Sequence, residues 1–179
     1  DKYSENSLIS NYIRGIAEDT NGVMWIATLE GISRINIDTD EIRNYSEKED
    51  KGNLSNSNVC NILVTKDNRI FAATEDGLNL YYEKNEKFYR ILDKENDLPS
   101  QYIYSVKEDS RGHIWISTDE GVVEVDKELN IVNKYEDTIG KADVYTTYDD
   151  SKGYVWVCTL DKGLFRINLN NAHVDNYRE

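Results

Sequence analysis

The chain has 179 residues but only two cysteines, two histidines, one proline and one methionine. Cys60 and Cys158 fall at non-equivalent places in the pattern described below, which speaks against a disulfide framework and leaves the redox compartment unread. His113 and His173 do not supply the several closely spaced His or Cys ligands that zinc requires. Neither aligns with a serine or cysteine in a nucleophilic set, and both read as exposed turn residues. Long apolar runs are also missing: none approaches the roughly 18 residues of a spanning helix, so no segment reads as crossing or contacting a membrane. The opening "DKYSENSLIS" is acidic and polar, unlike a signal peptide; for an exported protein, the targeting segment would lie outside these residues. Positive charge is scarce too. Twenty-one Lys and Arg face 34 Asp and Glu, for a net charge of −13. With no basic stripe to offset it, this charge excludes nucleic acid as a partner.

What the chain does have is apolar and aromatic content, 39% and 11%, the latter mostly tyrosine. That is enough for a packed core and argues against disorder. It is also repetitive. Trp25, Phe71, Trp115 and Trp156 recur at intervals of 46, 44 and 41 residues. Ahead of each stand apolar residues at fixed offsets: Leu8, Ile13 and Ile16 in the first copy, and Leu54, Val59 and Ile62 in the second. Leu98, Ile103 and Val106 follow in the third, and Ile139, Val144 and Thr147 in the fourth. Behind each come a threonine (Thr28, Thr74, Thr118, Thr159) and a glycine (Gly31, Gly77, Gly121, Gly163), with one extra residue in the last copy. Each copy closes on a tyrosine: Tyr45, Tyr89, Tyr135 and Tyr177.

Within the first copy, "YIRGIAED", "VMWIAT", "ISRINID" and "EIRNYS" read as four short strands rich in β-branched and aromatic residues, separated by Asn, Asp and Gly. Gly22, Asn68, Gly112 and Gly153 share one turn position, the place where a tight hairpin demands positive φ. No helical period persists over ten residues. Four antiparallel strands per unit of 41–46 residues are the mark of an all-β array of propeller blades. The repeats run approximately 8–53, 54–97, 98–138 and 139–179, with 1–7 read as the tail of a preceding repeat because Tyr3 stands five before Leu8.

Two segments, "IAEDTNGVMWIATLEGISRI" and "VKEDSRGHIWISTDEGV", resemble the two-component regulator propeller repeat. The resemblance covers nearly the whole chain and is strongest in copies one and three. Copy two departs, with "LVTKDNRIFAAT" in place of the acidic pair, the glycine and the tryptophan. The resemblance implies the extracytoplasmic (periplasmic or cell-surface) sensor region of a membrane receptor. The output module, a histidine kinase or sometimes a diguanylate cyclase, would lie outside this segment. It also implies a larger propeller of about seven blades, within the general range of about four to eight. Further repeats of the same receptor would then be partners, and a homodimer through the end blades would cover their apolar faces.

Candidate chemistry is sparse. The acidic turns "EDTNG", "EDSRG" and "YDDSKG" offer too few oxygens each for calcium, and Asp19, Asp109 and Asp150 read as hairpin caps. The tryptophans, which share one repeat position with Phe71, read as packing between blades, so no cofactor or metal is implied. Ala27, Ala73, Ser117 and Cys158 share one small-residue position, which makes Cys158 a buried apolar residue. Function belongs where the copies differ. One variable set is Arg14, Cys60, Tyr104 and Tyr145 in the first strands; the other is Asn11, Ser57, Gln101 and Ala142 in the loops before them. Arg14, Tyr104, Tyr145, Asn11 and Gln101 are therefore the expected contacts for a small polar molecule or glycan. The expected function is a non-catalytic sensing module; the alternative is a secreted carbohydrate-binding or adhesive propeller without signalling output. A glycosidase or lyase needs carboxylates clustered at one mouth, whereas these acids lie mainly on turns.

Overall fold

The computed structural model describes residues 6–48 and 53–179, so the assignment of Tyr3 to a preceding repeat lies outside the described residues. The chain divides into two compact units, 1–93 and 94–179. Each contains two four-stranded antiparallel sheets whose strands lie in chain order, the architecture of propeller blades.

In the first unit, sheet one is β1 (Ile13–Glu18), β2 (Val23–Thr28), β3 (Gly31–Asn36) and β4 (Glu41–Tyr45). Sheet two is β5 (Val59–Val64), β6 (Ile70–Thr74), β7 (Gly77–Tyr82) and β8 (Lys87–Leu92). In the second unit, sheet three is β9 (Ile103–Glu108), β10 (Ile114–Thr118), β11 (Gly121–Val125) and β12 (Ile131–Lys134). Sheet four is β13 (Val144–Asp149), β14 (Tyr154–Thr159), β15 (Leu164–Asn168) and β16 (Val174–Tyr177). The one α-helix among the described residues, α1 (Glu136–Ile139), is a single turn, too short to show a period in the sequence.

Each sheet is closed locally by two side chains. Asp19 Oδ1 accepts the backbone N–H groups of Asn21 (2.8 Å) and Val23 (3.1 Å), closing the first hairpin. Its Oδ2 accepts the indole N–H of Trp25 at 3.0 Å. Asp109 repeats this with Arg111, His113 and Trp115, and Asp150 with Lys152, Tyr154 and Trp156. The reading of these acids as hairpin caps describes only half of what they do. Sheet two lacks both partners: Phe71 has no N–H to satisfy, and Thr65 Oγ1 closes the turn on the Arg69 N–H at 2.9 Å. Gly22, Asn68, Gly112 and Gly153 all have positive φ, as the turn requires.

The second hairpin is closed by the threonine. Thr28 Oγ1 donates to Gly31 O at 2.8 Å and accepts the Glu30 N–H at 3.2 Å, and Thr74 and Thr118 do the same. Thr159 keeps both bonds around its extra residue. Glycine is needed at Gly31 because φ is +139° and a Cβ would sit 2.0 Å from the Tyr45 carbonyl oxygen.

The cores lie at the seams between sheets of one unit. In the first, Trp25, Ala27, Ile32 and Tyr45 from the front of sheet one pack on Val59, Ile62, Ala72, Tyr81 and Phe88 of sheet two. In the second, Trp115, Val122 and Tyr135 pack on Val144, Val155, Val157, Phe165 and Ile167. The tryptophans at these two seams are 1% exposed, so they are packing residues.

Three expectations need correction. Opposite Leu78, where Ile32 faces Tyr45, stands Leu92 and not Tyr89. A register shift in β7/β8 displaces the tyrosine, and Tyr89 is exposed against Tyr82 instead. Cys158 is half-buried rather than buried, as is Trp156, because no described sheet covers the front of sheet four. His113 is half-buried and bonded, for the reason given below.

Replacing Asp19 by Thr leaves the buried indole N–H of Trp25 unpaired, at a cost of about 1–3 kcal/mol. In urea unfolding, the double variant Asp19→Thr/Trp25→Phe, which copies sheet two, should cost about 1 kcal/mol less than the sum of the two single variants; additivity would contradict the coupling. Thr147, 4% exposed at the position that Ile62 holds in sheet two, has a buried hydroxyl with no hydrogen-bond partner. Thr147→Val should therefore raise the unfolding free energy by about 1 kcal/mol, read as a higher urea midpoint.

Candidate functional site

The variable inner-strand positions meet in pairs within each unit. Inner strands β1 and β5 bring Arg14 beside Cys60, with Arg14 Nη1 donating to the thiol sulfur at 3.8 Å. Arg14 is exposed while Cys60 is buried. Strands β9 and β13 bring Tyr104 to Tyr145, with ring centroids 6.3 Å apart. Tyr102, from the loop before β9, joins them at 4.9 Å from Tyr104. Tyr145 is 58% exposed, and Tyr102 and Tyr104 are half-buried. The result is a three-tyrosine surface on two adjacent strands and the loop that leads into one of them. Tyr102 was not among the expected contacts, although its loop position also varies between copies (Tyr12, Asn58, Tyr102, Asp143). Its spacing from Tyr104, two residues in an extended chain, was the available signal.

The loop positions diverge. Gln101 is exposed next to Tyr102. Asn11 is exposed and lines a separate hollow of about 480 Å³ in the first unit with Ser7, Leu8, Ser10, Tyr12 and Glu30. Their counterparts are structural. Ser57 exchanges two bonds with Glu47, and Ala142 is 2% exposed in the core of the second unit.

The second unit also holds a buried charge network. The residue paired with the tryptophan across the second hairpin is Arg34 in sheet one and Arg166 in sheet four, each lying over its indole ring at 5.6 Å. In sheet three that place is taken by Glu124, which is 3% exposed. Arg111, from the hairpin turn, supplies the missing cation. Its Nη2 lies 2.6 Å from Asp109 Oδ2 and 2.5 Å from Glu124 Oε1. His113 Nδ1 meets Glu124 Oε1 at 2.7 Å, and the Tyr135 hydroxyl donates to Oε2 at 3.0 Å. Hence the acids are not confined to turns, and His113 is not an exposed turn residue: a buried carboxylate recruits it. His173 is exposed, as expected, with Nε2 3.4 Å from Asp175.

Asp109, His113 and Glu124 present ligand atoms within 4.8 Å of one another. The Arg111 guanidinium lies between the two carboxylates, so the group is already charge-compensated by a side chain. Burial by itself would raise the pKa of Asp109. The Trp115 indole N–H, the Arg111 guanidinium and the His113 backbone N–H outweigh it and hold the carboxyl below its ordinary 3.8. For Tyr135, burial and the adjacent Glu124 carboxylate push the phenol well up.

The comparisons with known proteins agree with this architecture. The family described as two component regulator propeller matches residues 7–30 and 97–120. Each unit thus contains one stretch that matches this repeat model. The matched stretches belong to copies one and three, where the resemblance to this repeat is strongest. No curated protein matches the chain. Among solved structures, these propeller repeats are similar to the extracellular domain of the hybrid two component system BT3049 from B. thetaiotaomicron (18% identity, TM-score 0.81, 95% of this chain and 25% of that one). The corresponding domain of BT4673 from the same organism gives 21%, 0.81, 95% and 22%. The chain thus spans about a quarter of those domains. Virginiamycin B lyase from Staphylococcus aureus shares the fold at 16% identity and a TM-score of 0.72, over 99% of this chain and 57% of that one.

Because Asp109 is held ionised in the folded state, its contribution to stability is present above pH 3.8 and is lost as the pH falls below that value through the folded pKa. Urea unfolding followed from pH 6 down to about pH 2 should show stability declining across that range. Asp109→Asn should flatten the decline while lowering stability at pH 6.

Proposed function

We propose that this chain is a non-catalytic sensing segment of an extracytoplasmic two-component receptor. In this reading it binds a small polar molecule or glycan on the inner strands of its second unit. The observation that carries the reading is the surface of Tyr102, Tyr104 and Tyr145, set on adjacent strands with Tyr145 largely exposed. Phenol rings offer a flat apolar face for a sugar ring or an aromatic ligand and a hydroxyl rim for its polar groups. The net charge of −13 disfavours anions and so favours a neutral or cationic ligand. The likeness to extracellular domains of two component systems supports the receptor setting and an extracytoplasmic location. Binding alone does not make a sensor. The ligand must bind two receptor states with different affinity, and it shifts their balance by that difference.

A thermal-shift screen of neutral oligosaccharides and small polar compounds tests the binding step, since a ligand of the folded state raises the melting temperature. A hit that titrates in calorimetry should weaken about tenfold or more, equivalent to about 1.4 kcal/mol, in Tyr104→Ala and in Tyr145→Ala. Arg43→Ala, on an outer strand, should leave it unchanged. Equal affinity in all variants would remove the tyrosine surface from the proposal.

A further inference from the structure

In every sheet the inner strand slips register once, and the residue passed over is the variable one: Arg14, Cys60, Tyr104 or Tyr145. Such a bulge leaves one residue out of the ladder and re-aims its side chain. In the second unit both bulge residues are tyrosines, and Tyr102 stacks beside one of them at 4.9 Å. A ring face is the negative part of its quadrupole, so three clustered rings attract positive charge as well as apolar surface.

Two carboxylates stand beside these rings. Thr118 pairs with Ile103 in the antiparallel ladder, so the next step along it sets Asp119 across from Tyr102. In sheets one, two and four the same step is a backbone hydrogen bond, from Leu29 to Tyr12, from Glu75 to Asn58 and from Leu160 to Asp143. Asp143 holds before β13 the place that Tyr102 holds before β9, two residues ahead of the bulge tyrosine. Both acids are half-buried. Among the described residues neither is paired with a Lys, Arg or His, whereas the adjacent Glu120 is answered by Lys141 at 2.9 Å. Asp119 Oδ1 is also shut off from solvent and accepts no hydrogen bond. A carboxylate short of both water and partners gains more from an arriving cation than a solvated one does.

We infer that the tyrosine surface takes a ligand carrying a protonated amine, with the ligand's body on the phenol faces and its ammonium group turned toward Asp119 and Asp143. A carboxylate only accepts hydrogen bonds. An ammonium group brings three donors together with the compensating charge, which a sugar hydroxyl does not. The inference rests on the ligand site proposed above and narrows its ligand class.

The test is an NMR titration of the chain with two matched pairs of probes, at a mildly acidic pH where both amines are charged. Tyramine is compared with 4-ethylphenol, the same ring without the amine, and glucosamine with glucose. At least one amine should bind about tenfold or more tighter than its neutral counterpart. Asp119→Asn, which keeps the shape and removes the charge, should abolish that preference and leave the neutral probe unchanged. Asp143→Asn should reduce it, and Tyr104→Ala should weaken both members of a pair. Circular dichroism verifies the folding of each variant. No preference for either amine, or a preference that survives both Asp→Asn changes, would overturn the inference. If Tyr104→Ala still weakens binding in that case, the tyrosine site stands and only its amine preference falls. Amine binding indifferent to Tyr104→Ala would remove the site itself, and this inference with it.

Discussion

The structure depends on one carboxylate placed six residues before a tryptophan. A tryptophan brings the largest apolar surface available to a seam, but its indole N–H must be bonded once water is excluded. Asp19, Asp109 and Asp150 meet that need from within their own hairpin, and the same carboxylate closes the turn that aims the tryptophan. Because both partners lie on one short stretch of chain, every copy carries its own solution, and neighbouring sheets need only supply apolar surface. Sheet two shows that the two residues form a pair. With Phe71 in place of tryptophan there is no donor, and a threonine suffices to hold the turn.

Sheet three shows how such a seam accepts polar variation. Exchanging the usual arginine for Glu124 would place an uncompensated carboxylate in the core, a cost of several kcal/mol if left unpaired. Arg111 removes that cost by reaching in from the hairpin, bridging Asp109 and Glu124, while His113 and Tyr135 occupy the remaining oxygen sites. Charge at this seam has moved from strand to turn without being lost. The second unit therefore has a seam with buried ions and the unpaired hydroxyls of Ser117 and Thr147. The matching positions in the first unit are Ala27 and Ile62.

The strands, the turns and the repeat were legible because they rest on short-range signals: period-two alternation, positive-φ residues at one offset, and the Thr–Gly pair. What escaped was set by pairing across strands. Tyr89 falls two residues short of the aromatic-to-tyrosine spacing of copies one and three, and that shortening was the one sign of the register shift that puts Leu92 opposite Leu78. Glu124 was visible as a departure from the arginine of copies one and four. Its burial was not, since that depends on Arg111 folding back over thirteen residues of chain. His113 followed the same fate: a residue on a turn was read as solvated until its partner was known. At the inner strands, equal offsets on adjacent sheets of a unit are spatial neighbours, so alignment sets Arg14 beside Cys60 and Tyr104 beside Tyr145. It missed Tyr102, which lies outside the strand.

The same logic separates scaffold from recognition. Positions repeated in every sheet are fixed by demands that recur in every sheet: a closed turn, a bonded indole, a glycine under a carbonyl. They are therefore uninformative about any ligand. The inner-strand position meets no such demand, and it holds Arg14, Cys60, Tyr104 and Tyr145 in turn. In the first unit the exposed Arg14 directs one guanidinium N–H at the sulfur of the buried Cys60, 3.8 Å away. In the second the two residues stack as tyrosines and leave faces and hydroxyl rims to solvent. A single guanidinium beside a buried thiol offers a ligand one charged contact, whereas clustered rings offer a flat apolar face and hydroxyls together. That difference is why the proposed ligand surface is placed on the second unit rather than the first.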